Sequence, residues 1–291
     1  MELARTLMFV PGHRQRMVDK ALALSSLDVA LLDIEDGVPP AEKDAARGLL
    51  AAVLGIASAA RPRRFVRVNA VLSDRFAADL QAVVRPGLEG LLLPKVESVE
   101  EITRAATAAT ERERDAGLAE GSVSFIVAIE SGLGLIRAHD IASASPRVIG
   151  LMFGGEDYAN DLGLPTDRQG EAREQLHARA AMVVAAAAAR VQSFDGVWPE
   201  IGDADGLRRD SLQARRMGYT GKSLIHPGQV EIINEVFTPS DGDVEYARRV
   251  VSAFEEAETR GDGAIAFGGQ LIDRPIVERA RRVVALYEAT R

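Results

Sequence analysis

The chain has 291 residues, 47% hydrophobic and 27% charged, with a net charge of −8 and no cysteine. That acidity argues against bulk nucleic-acid binding while leaving room for a local basic pocket. Without cysteine there are no disulfides, no thiolate nucleophile and no cysteine-bound zinc or iron–sulfur site, which fits a reducing cytoplasm. The opening residues MELARTLMF lack the basic-then-apolar pattern of a cleaved signal. The longest apolar run, 180–189, is mostly alanine and half a membrane span. A soluble cytoplasmic protein with no membrane or nucleic-acid partner is the expectation.

Taken in order, short apolar runs alternate with helical spacings. Residues 6–10 (TLMFV) are apolar until Pro11 and Gly12 stop them, and 15–24 places Met17, Val18, Ala21 and Leu22 on one helical face. The run 29–34 ends among Asp33, Glu35 and Asp36, and Pro39 and Pro40 restart the chain into a helix of good formers at 41–54. A third strand at 64–68 ends on Arg67 and Asn69, with a helix at 76–84. A fourth at 90–93 stops on Pro94 and Lys95, before a helix at 99–114. Residues 125–129 are apolar without a break, as in a strand buried on both faces, and stop on Glu130, Ser131 and Gly132. After a predicted helix at 135–144, residues 148–153 repeat that pattern and break into Gly154, Gly155, Glu156 and Asp157. There follow an alanine-rich helix at 171–191, a strand at 195–201 and a helix at 207–217. A strand at 222–225, stopped by His226 and Pro227, and a short helix at 230–237 complete the series.

Eight strand–helix units imply parallel strands joined by helical crossovers, and eight points to a closed (β/α)8 TIM barrel as a catalytic domain over residues 1–237. An open doubly wound sheet is the rival. No G-x-G-x-x-G follows the first strand, which weakens its dinucleotide-binding form. Past the break at Thr238-Pro239-Ser240-Asp241-Gly242, residues 238–291 form a C-terminal helical extension. It has helices at 243–260 and 275–290, and the glycine-rich, lid-like stretch 261–275 joins them.

In such a barrel the reactive groups lie at the C-terminal ends of the strands. The residues there are Asp33, Glu35, Asp36, Arg67, Lys95, Glu130, Asp157 and His226, with no comparable gathering at the opposite ends. Carboxylates emerging from buried strands are costly unless something positive meets them. Glu130 and Asp157 end consecutive strands and are expected to share one hard divalent ion, Mg2+ or Mn2+, whose remaining positions fall to water and substrate. Zinc is disfavoured, since none of the four histidines forms H-E-x-x-H. Glu35, Asp36 and Asp33 either orient metal-bound water or serve as caps and salt bridges. Arg67, inside a strand, needs an anionic partner: a substrate carboxylate held two-pronged, or a salt bridge to Glu35 or Glu130. Lys95 either forms a Schiff base or pairs with a neighbouring acid. His226 reads as a ligand contact or a hydrogen-bonded structural residue, and Trp198 as core.

Several motifs recur in a fixed order. They are Arg5-Thr6-Leu7-Met8-Phe9-Val10-Pro11-Gly12, Leu32-Asp33-Ile34-Glu35-Asp36-Gly37-Val38 with Lys43 and Ala46-Arg47, and Val66-Arg67-Val68-Asn69. Leu93-Pro94-Lys95-Val96-Glu97, Ile129-Glu130-Ser131 and Phe153-Gly154-Gly155-Glu156-Asp157 follow. The last are Gly221-Lys222 through Ile225-His226-Pro227 to Gln229, and Leu271-Ile272-Asp273-Arg274-Pro275. Together they resemble the citrate lyase β-subunit-like branch of the HpcH/HpaI aldolase family, which includes malyl-CoA and citramalyl-CoA lyases.

The resemblance implies a Mg2+-dependent carbon–carbon lyase. Its substrate would be a malyl-, citramalyl- or citryl-CoA-like 3-hydroxyacyl-CoA thioester, cleaved or formed by Claisen-type condensation. Glu130 and Asp157 would hold metal and substrate, with Arg67 on the substrate carbonyl or carboxylate side. CoA would lie near the first loop, its phosphates met by His13 and Arg14. Asp273 would reach a neighbouring subunit's site as acid/base, which demands at least a dimer and suggests a trimer. Read locally, Asp273 is a helix N-cap before Pro275. Two rival readings are a metal-dependent aldolase of 4-hydroxy-2-oxo acids without CoA and a CoA-ester-binding subunit of a larger lyase complex. Ser131 stands where the family often has threonine, a change that bears on acyl preference.

Overall fold

The computed structural model describes residues 3–57, 61–165 and 171–289. Two compact units divide the chain, residues 4–234 and the chain from residue 235 onward.

The first unit carries, in order, β1 (Thr6–Pro11), α1 (Gln15–Leu22), β2 (Val29–Asp33), α2 (Lys43–Leu54), β3 (Arg63–Arg67), α3 (Phe76–Val83), β4 (Gly90–Leu93) and α4 (Val99–Asp115). It continues through β5 (Ser124–Ile129), α5 (Gly132–Ile136), α6 (Ala138–Ser143), β6 (Val148–Phe153), α7 (Gly155–Asp161), α8 (Leu176–Ala189), β7 (Gln192–Asp195), α9 (Ala204–Met217) and β8 (Gly221–Leu224). The helix α10 (Val230–Phe237) straddles the division. Strands β1 to β8 pair in sequence order as a closed parallel barrel, and β8 returns to β1 through Thr6 opposite Lys222.

Successive strand side chains point to opposite faces. The inward set, Leu7, Phe9, Val29, Leu31, Phe65, Leu92, Ile126, Ala128, Met152 and Phe194, packs as the barrel interior. The outward set, including Leu32, Val66, Leu91, Val127 and Leu151, is fully buried as well. That double burial is why these strands read as unbroken apolar runs. Gly90 and Gly150 leave room for large neighbours: a Cβ at either would come within 2.7 Å of a ring carbon of Phe65 or Phe194. Truncating either ring to alanine would cost about 3–5 kcal/mol. The inward alternation continues past the apolar layer. Two residues beyond Leu31, Phe65 and Ala128 come Asp33, Arg67 and Glu130, so the register that builds the core also sets a polar rim above it.

Four elements differ from the sequence expectation. The seventh strand lies at Gln192–Asp195, with only Asp195 in common with the predicted 195–201. Its inward positions are Gln192 and Phe194, while Val197 and Trp198 sit in the loop after it; Trp198 is buried. The predicted 171–191 helix begins with a 3-10 turn at Arg173–Gln175 and becomes α-helical only at Leu176. The 135–144 helix is two short ones, and Ser131 caps the first by accepting from Gly134 N–H at 3.0 Å. Finally, Gly155–Asp161 is helical, so Asp157 stands in the first turn of α7 rather than in a loop.

The second unit contains α11 (Asp241–Thr259), β9 (Ala264–Phe267), β10 (Gln270–Asp273) and α12 (Arg274–Ala289). Residue 290, in the last predicted helix, lies outside the described residues. Where a glycine-rich cover was expected, β9 and β10 form an antiparallel hairpin, with Gly268 (φ +58°) and Gly269 (φ +79°) making the two-residue turn. Positive φ at both turn positions suits the twist of the flanking strands, and glycine adopts it without strain. One hairpin face, Ile265, Phe267 and Ile272, packs against Val250, Phe254 and Val277 of the helices. By alternation Ala264, Ala266, Leu271 and Asp273 share the other face, where Leu271 is 69% exposed. Among the described residues no helix is long and apolar enough to cross a membrane.

Candidate active site

A cavity of about 410 Å3 opens at the C-terminal end of the barrel. Phe9, Leu92, Ala128 and Met152 floor it, and Asp33, Asp36, Arg67, Glu130, Glu156 and Asp157 contribute the charged lining. Five of those six are among the strand-end residues expected from the sequence; Glu156 is the one without an expected role.

Glu130 follows β5 and is 8% exposed. Its Oε2 accepts from Lys95 N–H at 2.8 Å, the single hydrogen bond to this carboxylate among the described residues. Lys95 adopts φ +55°, a left-handed conformation that non-glycine residues enter at a cost, at the residue whose N–H donates to Glu130. Burial, reinforced by the Asp157 carboxylate and opposed by Arg67, pushes Glu130 up to about 7. Gly154 makes this closeness possible: a Cβ there would collide with Glu130 Cγ and come within 2.7 Å of its Oε1. The Asp157 carboxylate, half-buried, makes no hydrogen bond or ion pair among the described residues.

Arg67 leaves β3 directly beside them and stacks 4.8 Å over the Phe9 ring. Its two-pronged bond goes to Asp33, with Nε to Oδ1 at 2.8 Å and Nη2 to Oδ2 at 2.6 Å, and Nη1 lies 3.2 Å from Glu35 Oε2. Thus its carboxylate partners come from the protein, and of the two salt-bridge partners considered it meets Glu35. Burial opposes its charge, but the bonds and field of Asp33, then of Glu35 and Glu130, hold the guanidinium firmly protonated. Asp33 also accepts from Glu35 N–H (2.8 Å) and Gly37 N–H (2.9 Å), so its acceptor sites are taken by protein donors.

Lys95 Nζ bridges Glu35 Oε1 and Asp36 Oδ2, both at 2.7 Å. Although burial disfavours its charge, these bonds keep the ammonium protonated and raise its pKa, which opposes a Schiff-base role. The same Lys95 bonds hold Asp36 below the usual carboxylate range despite burial. Glu35, Asp36, Lys95, Arg67 and Asp33 are one connected network behind the Glu130–Asp157 pair.

Other predicted residues lie elsewhere. The His13 ring is 5% exposed and 3.7 Å from Glu42, with a buried Nδ1 that has no hydrogen-bond partner among the described residues, while Arg14 is exposed at the head of α1. His226 serves structure: its Nδ1 accepts from Gly228 N–H at 3.1 Å, starting a 3-10 turn. The Ser131 hydroxyl donates to Glu97 Oε1 at 2.6 Å besides capping its helix. Asp273 is the last residue of β10 and partly exposed, in the second unit.

A resident divalent cation fits this donor set. Two carboxylates lie together where burial, and then the Asp157 charge, raise Glu130, and no cationic side chain among the described residues bonds to either. The available ligands are all oxygen, and two carboxylates leave positions open for water or substrate, as Mg2+ requires. Among the described residues no third carboxylate, histidine or cysteine joins the pair as a metal-holding group.

The HpcH/HpaI aldolase/citrate lyase family matches residues 5–227. The citrate lyase subunit beta of Leuconostoc mesenteroides subsp. cremoris is 37% identical over 99% of this chain and 94% of its own length. The mitochondrial citramalyl-CoA lyase of Rattus norvegicus is 32% identical over 97% of this chain and 85% of its own. Among solved structures, protein CitE from Mycobacterium tuberculosis in complex with magnesium, acetoacetate and coenzyme A superposes with a TM-score of 0.80 at 29% identity, covering 98% of each chain. The barrel, its rim and these likenesses agree, and the chain belongs to the HpcH/HpaI aldolase/citrate lyase family.

Proposed function

We propose that this protein is a Mg2+-dependent carbon–carbon lyase acting on a 3-hydroxyacyl-CoA thioester with a free carboxylate, in cleavage or in the reverse Claisen-type condensation. The observation that carries the reading is the Glu130–Asp157 pair, two carboxylates left without a protein cation between them beside Arg67. The relatives support it, since their names include a citrate lyase subunit and a citramalyl-CoA lyase, and a structural neighbour binds magnesium and coenzyme A.

Glu130 and Asp157 would hold Mg2+, which would supply Lewis acidity for the oxygens of the hydroxyacyl head. Arg67 keeps N–H donors beyond those directed at Asp33 and Glu35, and adds fixed positive charge where oxyanion character grows. The Asp33–Glu35–Lys95–Asp36 network spares the guanidinium any reorganisation as that happens. In cleavage the bond between the α-carbon of the thioester and the hydroxyl-bearing carbon breaks. The hydroxyl proton passes to solvent water, its oxygen becomes the carbonyl of an oxo acid, and the electron pair of the broken bond stays on the thioester as an enolate. Asp273, on the exposed face of the C-terminal hairpin, returns a proton to that carbon from a second copy of the chain, or removes it in condensation. The extension from residue 238 is on this reading a donated arm. It calls for at least two copies, with the trimer implied by the resemblance the favoured assembly. Arg14, exposed at the head of α1, meets a CoA phosphate.

The test is an assay of malyl-, citramalyl- and citryl-CoA, and of a free 4-hydroxy-2-oxo acid, with Mg2+ and with chelator. Metal-dependent release of an oxo acid from one of the CoA esters, abolished in a folded Asp157→Asn variant, is expected. Turnover of the free acid alone would move the assignment to an aldolase without CoA. Undiminished turnover by Asp157→Asn would remove the metal assignment. Mixing inactive Asp273→Asn and Glu130→Gln chains is expected to restore activity if the acid/base crosses between copies.

A further inference from the structure

The Asp157 side chain makes no bond of its own among the described residues, so its aim depends on where α7 begins. Two contacts fix that point. Gly154 N–H donates to Ile129 O at 3.0 Å, and Gln175 Nε2 donates to Gly155 O at 3.1 Å. Gln175 is 4% exposed, and a Cβ on Gly155 would lie 2.7 Å from its Oε1, so amide and helix start are in close contact. The glutamine is itself anchored. It ends the 3-10 turn before α8, and one turn further on, on the same face, Arg179 enters a buried charge quartet. Arg179 bonds Asp195 (3.0 and 2.8 Å) and Asp210 (2.9 Å), and Lys222 Nζ bonds the same two carboxylates. Two positive and two negative side chains, none more than 5% exposed, make a balanced rigid base under β7 and β8.

From this geometry we infer that Gln175 is a positioning residue for the metal site, holding the first turn of α7, and through it Asp157, against the buried quartet. The inference rests on the metal reading above and goes beyond it by naming a residue that touches neither metal nor substrate. Outer groups that orient a metal ligand typically change metal affinity ~10- to 100-fold when removed.

The test is equilibrium Mn2+ binding to the substrate-free protein, together with the Mg2+ dependence of turnover. Gln175→Met keeps the volume and loses the amide; Gln175→Asn, which shortens the reach, serves if the first does not fold. Mn2+ binding ~10- to 100-fold weaker is expected, with half-saturating Mg2+ raised in parallel and kcat at saturating Mg2+ near wild type. A folded variant that binds Mn2+ within about twofold of wild type overturns the inference, being below the range for such groups. So does a loss of turnover that saturating Mg2+ does not recover, since that is general damage. Asp157→Asn is the control. If it also binds Mn2+ normally, the metal reading itself has failed; if it alone loses the metal, only the role of Gln175 has.

Discussion

Two buried glutamates, Glu113 and Glu130, are treated in opposite ways by the same barrel. Glu113, 0% exposed, accepts two bonds from Arg147 (2.8 and 2.7 Å) and one each from Gly121 N–H (2.8 Å) and Val123 N–H (2.7 Å). Burial alone would push it up, but the Arg147 bonds and those two N–H groups hold it down at about 2. Glu130, 8% exposed, receives one backbone N–H and faces a second carboxylate, so burial and then Asp157 carry it to about 7. The first arrangement is complete within the chain; the second, with Arg67 opposing but not bonding it, is short of donors among the described residues. A carboxylate left short of donors inside a cavity is the physical mark of a site that takes a cation.

Removing the carboxylate at each position should break the contrast. Glu130→Gln is expected to lower kcat/KM for Mg2+-dependent cleavage by about a thousandfold or more, the loss of several kcal/mol of charge stabilisation. The same change should stabilise the metal-free protein. A folded-state pKa raised above its unfolded value means stability falls as pH rises from about 4.5 through about 7. Neutral glutamine escapes roughly 3 kcal/mol of that loss at pH 8. Thermal denaturation with chelator present measures it, and equal melting of both proteins at pH 8 would sink the idea. Glu113→Gln has the reverse sign. Its depressed pKa contributes stability that is present above about 4.5 and lost as pH falls through about 2. The variant should be about 3 kcal/mol less stable at pH 7, converge on wild type near pH 2, and bind Mn2+ normally.

Two smaller effects sharpen the comparison. Because Glu130 must shed its proton to bind a cation, Mn2+ affinity should fall about tenfold per pH unit below pH 7 and level off above it. A calorimetric titration flat from pH 5 to 8 would contradict the assignment. Lys95→Asn retains a residue that tolerates the left-handed backbone and is expected to raise half-saturating Mg2+ by less than about tenfold. Lys95→Val, whose branched side chain resists that conformation, should do more harm; since both variants lack the ammonium, equal effects of the two would show that the main-chain conformation is not what matters for Glu130.

The barrel was legible because strands buried on both faces advertise themselves, and several of them are followed closely by a charged residue. The inward step from Ala128 to Glu130 and from Phe65 to Arg67 can be counted in the sequence. The partners of Arg67 could not be, since Asp33 lies 34 residues away and the choice among acids is made by geometry. The seventh strand was misplaced because Gln192 and Ser193 look less strand-like than Val197 and Trp198, and closure of the barrel overrode local preference. The helix α7 was missed because Gly-Gly-Glu-Asp reads as a turn. The hairpin left one signal, two adjacent glycines between apolar residues, that could have found it. Gln175 left none, since a lone glutamine in a helical stretch carries no pattern.

The hairpin has a practical corollary. Its inner face is sealed by α11 and α12, whereas the side bearing Leu271 and Asp273 is turned away from those two helices. If catalysis needs that side seated on a companion molecule, turnover per chain becomes a matter of mass action. Rates measured on highly diluted enzyme would understate its capacity, and a plot of specific activity against protein concentration would rise to a plateau at assembly.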